Sequence, residues 1–210
     1  MDLTPLSGLR LRTPRLVLRL PTGDELEQLR EVALAGVHPP EFMPFTIPWT
    51  DEPELSTFLE YHEMRRLEWR PEAWGLELGV WLEDEPAGVQ AVLGEDFART
   101  RRVDTGSWLG ERFQRRGIGT EMRTAVLELA FRGLGAEVAR SGAIDGNAGS
   151  LRVSEKLGYR IVGRSTASPR GVELPLTDVE LRRDDWLPAF AVAIEGLEPC
   201  LPLFGVGPRG

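Results

Sequence analysis

Residues Gln114 to Thr120 read Gln-Arg-Arg-Gly-Ile-Gly-Thr, and an amphipathic run, Glu121-Met-Arg-Thr-Ala-Val-Leu-Glu-Leu-Ala-Phe131, follows directly. Apolar side chains at Ile118, Met122, Ala125, Val126, Leu129 and Ala130 keep helical spacing, so a helix is predicted from Ile118. Gly117 and Gly119 then fall on the turn that enters it. Without a Cβ at these positions, an anion can approach backbone N–H groups at the positive end of the helix dipole. A phosphate or pyrophosphate suits such a turn. The preceding Arg101-Arg-Val-Asp-Thr-Gly-Ser-Trp-Leu109 reads as a strand, which gives the order strand, basic glycine turn, helix. A short glycine pattern standing alone also serves simply to open a helix tightly.

A second group lies downstream, Asn147-Ala-Gly-Ser150-Leu-Arg-Val-Ser154-Glu-Lys-Leu-Gly-Tyr159. Gln114-x-x-Gly117-x-Gly119 resembles the acyl-CoA pyrophosphate loop (Gln/Arg-x-x-Gly-x-Gly/Ala) of the GNAT superfamily of N-acetyltransferases. The downstream group is similar to that family's Asn-x-x-Ser followed by Leu-Gly-aromatic, in the right order and at the right spacing. The opening Leu11-Arg-Thr-Pro-Arg-Leu-Val-Leu-Arg19, followed by Pro21-Thr-Gly-Asp24, resembles the RimJ/RimL branch, which acetylates ribosomal protein N-termini.

The resemblance implies an α/β fold over nearly all of residues 9–184. Its mixed central sheet has about seven strands, splayed at the cofactor cleft, with helices on both faces. Residues 1–185 would form the acyltransferase domain and residues 186–210 a C-terminal extension. In that fold the strands ending near Leu109 and Ile144 part, and the pantetheine arm of acyl-CoA enters the gap. Backbone groups of Ser107, Trp108 and Leu109 are then expected to hold the arm. Gln114 opens the loop whose amides, at Arg115, Arg116, Gly117, Ile118, Gly119 and Thr120, hold the pyrophosphate. Asn147 is expected to bond the arm's amides, and Tyr159 to pack beside the cofactor. Phe42, Phe45 and Trp49 fall where the family covers the acceptor side, although aromatic anchors that bury a long loop would look the same.

Acyl transfer from a thioester to an amine needs a neutral amine, a polarised carbonyl and stabilisation of the departing thiolate. An α-amine, with a reference pKa of about 7.7–8.0, is already partly neutral at pH 7, whereas a lysine near 10.4 demands more of a base. Asp104 occupies the acidic position of the branch's Glu-x-Gly-x-Trp-Leu pattern and is the candidate base. As a strand-surface aspartate it could equally pair with Arg101 or Arg102. Many relatives carry a tyrosine acid where this chain has Ser154, so Ser150 becomes the better donor toward the sulfur, or else a helix cap. The expected reaction moves an acetyl, or alternatively a succinyl, group from acetyl-CoA or succinyl-CoA to a primary amine. That amine is a protein N-terminus, a lysine or a small amine. A catalytically weak acyl-CoA-binding regulatory module is the rival reading. An unrelated nucleotide binder is disfavoured because no lysine follows the glycines as a P-loop requires.

Composition narrows the rest. The 210 residues, 41% hydrophobic and 28% charged, describe one ordinary globular domain. No run approaches the roughly 20 apolar residues of a membrane span, and Met1-Asp-Leu-Thr-Pro lacks a signal's basic and apolar regions, which predicts a cytoplasmic protein. A net charge of −8 argues against nucleic acid, so Arg112, Arg115 and Arg116 must concentrate positive charge locally if an acidic cofactor binds. One cysteine and two histidines make a thiolate or imidazole metal site improbable. Leu201-Pro-Leu-Phe204 could pack on the domain or on a second subunit of a homodimer or higher homo-oligomer.

The elements that must position these residues follow in order. Leu9–Leu20 alternates as one strand with Pro14 at an edge or bulge, and a helix capped by Thr22 or Asp24 ends near Gly36. The proline-rich segment Val37–Trp49 must be an ordered loop. A second helix runs to about Trp69, and strands Trp74–Leu82 and Ala87–Gly94 form a hairpin. After the central helix come strand Glu137–Ile144, a short helix closed by Gly158, and strands Tyr159–Arg164 and Leu176–Arg182. Ala189–Ile194 is a candidate extra strand.

Overall fold

Pro14 cannot donate to a β ladder, and the alternating run around it breaks there. Strands β1 (Arg10–Arg12) and β2 (Leu16–Arg19) pair antiparallel through a tight reversal instead of continuing as one strand. The Thr13 hydroxyl accepts from Leu16 N–H at 2.9 Å and donates to Glu121 at 2.6 Å, which fixes the reversal from outside the hairpin. The structure, a computed structural model, describes residues 1–207; the last three residues of the expected extension lie outside it.

One sheet of nine strands carries the fold, in the order β7-β8-β6-β5-β4-β3-β2-β1-β9. Its other members are β3 (Ala73–Leu82), β4 (Glu85–Glu95), β5 (Arg102–Leu109), β6 (Val138–Ile144), β7 (Arg160–Ala167), β8 (Leu174–Arg182) and β9 (Ala193–Glu195). Two strands beyond the expected seven arise from the split at Pro14 and from β9, which pairs with β1 at the sheet edge. The segment after β9 packs on the same domain: Cys200, Leu201, Leu203 and Phe204 are buried, and Trp69 donates to the Leu203 carbonyl at 2.8 Å.

Alternation along β3 sorts the two faces. Leu76, Leu78 and Val80 join the core under α4 (Ile118–Glu128), while Trp81 and β4 Val89 pack under α1 (Gly23–Leu34) and α2 (Phe58–Leu67). Thr22 and Glu25 form a capping box at the start of α1, so the entry chain is held before the helix begins. A short turn of helix, α3 (Phe97–Thr100), connects β4 to β5. It is anchored by the fully buried Phe97. The central helix ends in a π turn over Leu129–Leu134, and α5 (Ala148–Lys156) gives way to Gly158 at φ 85°. No helix among the described residues is long and apolar enough to cross a membrane.

Candidate active site

The parallel ladder between β5 and β6 lasts only three rungs, from Arg102↔Val138 to Asp104↔Arg140. Beyond Asp104, β5 stays with β4 as far as Leu109 and β6 stays with β8 as far as Ile144, so the two strands part and leave inner edges unpaired. Unpaired strand edges present backbone donors and acceptors that an extended, amide-bearing ligand can use. The gap opens into a cleft of about 1500 Å³.

The glycine turn stands at one end of this cleft. Gly117 precedes α4 at φ 80°, a conformation strained for any residue with a Cβ, and Arg115 accepts the same strain at φ 58°. No side chain caps α4, and its first intrahelical bond is Glu121 N–H to the Gly117 carbonyl at 3.1 Å. The amides of Ile118, Gly119 and Thr120 therefore have no intrahelical acceptor. Gly117, Gly119 and Thr120 line the cleft, so this helix start, where the dipole favours negative charge, opens on it. Gln114 shapes the turn, donating to the carbonyls of Val37 at 2.7 Å and Leu109 at 2.9 Å. Arg15 and Glu121, paired at 2.6 Å, brace it from below.

Positive charge is placed differently from the sequence expectation. Arg112 does not line the cleft; it pairs with Glu85 at 2.8 Å on the surface and lies over the Phe113 ring. Arg115 lines the cleft, as do Arg152 and Lys156 one turn apart on α5. Their i,i+4 spacing was the available signal.

The expected catalytic serines separate. Ser150 lines the cleft, and its N–H is capped by the Asn147 carboxamide oxygen at 3.1 Å. Asn147 therefore keeps its NH₂ and the second lone pair of that oxygen for a ligand. Ser154 is 3% exposed and does not line the cleft. Tyr159 is buried under the parting strands, its hydroxyl directed toward Thr105 and Arg123 without a well-formed hydrogen bond. Asp104 sits at the last paired rung with an exposed carboxylate; partial burial raises its pKa, against the pull of Arg102 and Arg140. It falls just outside the residues that line the cleft.

Across the sheet from Gly106 lies a carboxylate that sequence reading missed. Gly106 pairs with Ala91 and Ala91 with Glu77, so all three project from one face in a row. Among the described residues nothing stands within 4 Å of where a Cβ on Gly106 would be, so the row is open above β5 and β4. Tyr61 donates to Glu77 Oε1 at 2.9 Å. Burial raises the Glu77 pKa, with Tyr61 and Arg65 pulling the other way. A lone glutamate inside Trp-Gly-Leu-Glu-Leu-Gly-Val-Trp was its signal in the sequence.

Phe42, Phe45 and Trp49 all line the cleft. Trp49 packs on Phe45 at 5.3 Å, Phe58 at 6.0 Å and Trp108 at 5.6 Å, making an aromatic wall on the face that carries Glu77. The loop is pinned by His38, whose ring contacts the Thr50 hydroxyl at 2.7 Å, and by Arg170, which grips Asp51 through two bonds of 2.6 Å.

The other face of the gap holds Arg123. Its guanidinium reaches from α4 to Ser107 Oγ at 3.1 Å on β5 and Ser141 Oγ at 3.2 Å on β6, and it is 3% exposed. Its Nε has no partner, and no carboxylate pairs with it among the described residues. Burial presses its pKa down, yet a guanidinium keeps its charge, so the cation is left uncompensated.

An open mixed sheet whose central strands part beside an uncapped helix start defines the class of α/β domain to which this chain belongs. Residues 15–160 match the family model described as Acetyltransferase (GNAT) domain, and the chain belongs to that family. The fold is shared with RimJ of Mycobacterium smegmatis, solved with a CoA disulfide, at 17% identity over 94% of this chain and 95% of that one, TM-score 0.72. It is also shared with RimL, a ribosomal alpha-N-protein acetyltransferase solved with coenzyme A, at 15% identity over 81% and 95% of the two chains, TM-score 0.68.

Proposed function

We propose that this protein is an acyl-CoA-dependent N-acyltransferase that acetylates a primary amine, with a protein α-amine as the acceptor. The observation that carries the reading is the parting of β5 and β6 after Asp104, directly beside the uncapped start of α4. The amides from Arg115 to Thr120 suit the diphosphate, with Arg152 and Lys156 lending charge, and the free edge at Ser107 to Leu109 suits the pantetheine amides. Acyl-CoA, when bound, supplies the acyl group as an activated thioester.

The chain's own residues account for the amine side. Two strand spacings separate Glu77 from Gly106, about 10 Å, which a glutamate side chain and one ammonium or water can span. Glu77 takes the amine proton, held in place by Tyr61, while Asp104 adds negative charge where the strands part. The aromatic wall of Phe45, Trp49 and Trp108 orients the acceptor and excludes water. An α-amine asks little of such a base, and RimL is named for action on protein α-amines. The family model is described by acetyl transfer, which makes acetyl the proposed group.

Thiol release from acetyl-CoA, followed with peptides bearing free or blocked N-termini, tests the proposal. Turnover with free N-termini and none with blocked peptides is expected. Saturable coenzyme binding without turnover on any amine would favour a binding module instead.

A further inference from the structure

Arg123 is the largest unexplained electrostatic feature of the cleft. Its two terminal nitrogens bridge β5 and β6 just past the last paired rung, where the backbone ladder has ended. Its two acceptors differ. The Ser141 hydroxyl spends its own proton on the Thr105 carbonyl at 3.1 Å. The Ser107 hydroxyl accepts from Arg123 and has no acceptor for its proton among the described residues. Ser107, Ser141 and Arg123 all line the cleft. A cation with no anion among the described residues, backing a hydroxyl whose proton has no acceptor among them, is arranged for negative charge that arrives from a ligand.

We propose that Arg123 and Ser107 form the site for the coenzyme's thiolate, the guanidinium supplying charge and the Ser107 hydroxyl a hydrogen bond to sulfur. The inference rests on the acyl-CoA reading above. The amine lone pair forms the new C–N bond, the C–S bond breaks with its electrons going to sulfur, and the amine proton goes to Glu77. Sulfur leaves as the anion and needs no general acid, which explains why Ser154 and Tyr159 can both lie out of the cleft. An unmatched cation gains its partner only as the C–S bond opens, so it favours the transition state over the bound thioester.

Ultraviolet titration of the bound coenzyme's thiol, in saturated complexes, tests this without relying on turnover. The bound thiol should ionise about one pH unit or more below free coenzyme A. Arg123→Met should remove that shift while the complex still forms, Arg123→Lys should restore part of it, and Ser107→Ala should reduce it. In turnover the Met variant should lose about 10²-fold in kcat with little change in KM for acetyl-CoA. A bound thiol that titrates like the free one in the wild type overturns the inference outright, whether or not the variants fold. A selective loss of succinyl-CoA affinity in Arg123→Met would assign the guanidinium to an acyl carboxylate and also overturn it. No saturable complex with wild-type protein would instead overturn the acyl-CoA reading, and this inference with it.

Discussion

Tyr61 on α2 donates its hydroxyl to Glu77 on β3 at 2.9 Å, across the floor of the face where an acceptor amine would lie. Burial raises the pKa of both groups, so the phenol stays protonated while the carboxylate is a stronger base than an exposed one. Glu77→Gln should lower kcat/KM by about 10²-fold. Tyr61→Phe should cost about 10-fold, as for loss of one hydrogen bond to a charged group. The acid limb of the wild-type pH profile should lie above the ordinary glutamate value of 4.5, since activity needs Glu77 deprotonated and its pKa is raised. Loss of the Glu77 limb in Glu77→Gln, with only the acceptor amine's own ionisation at about 7.7–8.0 remaining, is the check, and an unchanged profile would contradict the assignment.

Asp104 supplies a contrast on the same sheet face. Its carboxylate is exposed, so Asp104→Asn should lower turnover by about 5-fold or less and leave coenzyme binding intact. A larger loss than that of Glu77→Gln would move the base to Asp104. Steady-state kinetics of the two variants side by side decides between them.

His62 is 4% exposed and its pKa is pushed down to about 4 by burial and the nearby Arg66. A folded value below the ordinary 6.5 means the buried ring is neutral, so its contribution is whole above pH 6.5 and is lost as pH falls toward 4. The loss should reach about 3 kcal/mol, from a shift of roughly two and a half units. Urea unfolding at pH 7 and pH 4.5 should show this loss in the wild type and a smaller one in His62→Phe.

Arg170, at the tip between β7 and β8, grips Asp51 and the Pro40 carbonyl, and so holds the aromatic loop over the cleft. Asp51 is kept below its usual 3.8 by this arginine, so the clamp stays paired at working pH and opens only as pH falls through that lowered value. Arg170→Ala should raise KM for the peptide acceptor a few-fold at pH 7 and leave coenzyme affinity unchanged. Equal effects on both ligands would contradict a role confined to the acceptor loop.

What the sequence disclosed follows from how local each determinant is. Gly117 was legible because a positive φ at a helix entrance leaves few residue choices, and Gly158 for the same reason. The reversal at Pro14 was not, because Thr13 and Arg15 are fixed by Glu121, more than a hundred residues away. Arg112 looked like part of a phosphate-facing cluster until Glu85 was found beside it. Glu77 and Arg123 escaped for a related reason. A single charge in an apolar strand or helix gains meaning only when the register sets Glu77 beside Ala91 and Gly106, and Arg123 between Ser107 and Ser141.

The helix mouth at Gly117 carries the account, and calorimetric titration of acetyl-CoA into the wild type and Gly117→Asp tests it most directly. The wild type should give a saturable isotherm, and the variant, with a side chain in a left-handed position and a negative charge facing the diphosphate, should give none while remaining folded. Equal isotherms from the two proteins, or no saturation in the wild type, would contradict it.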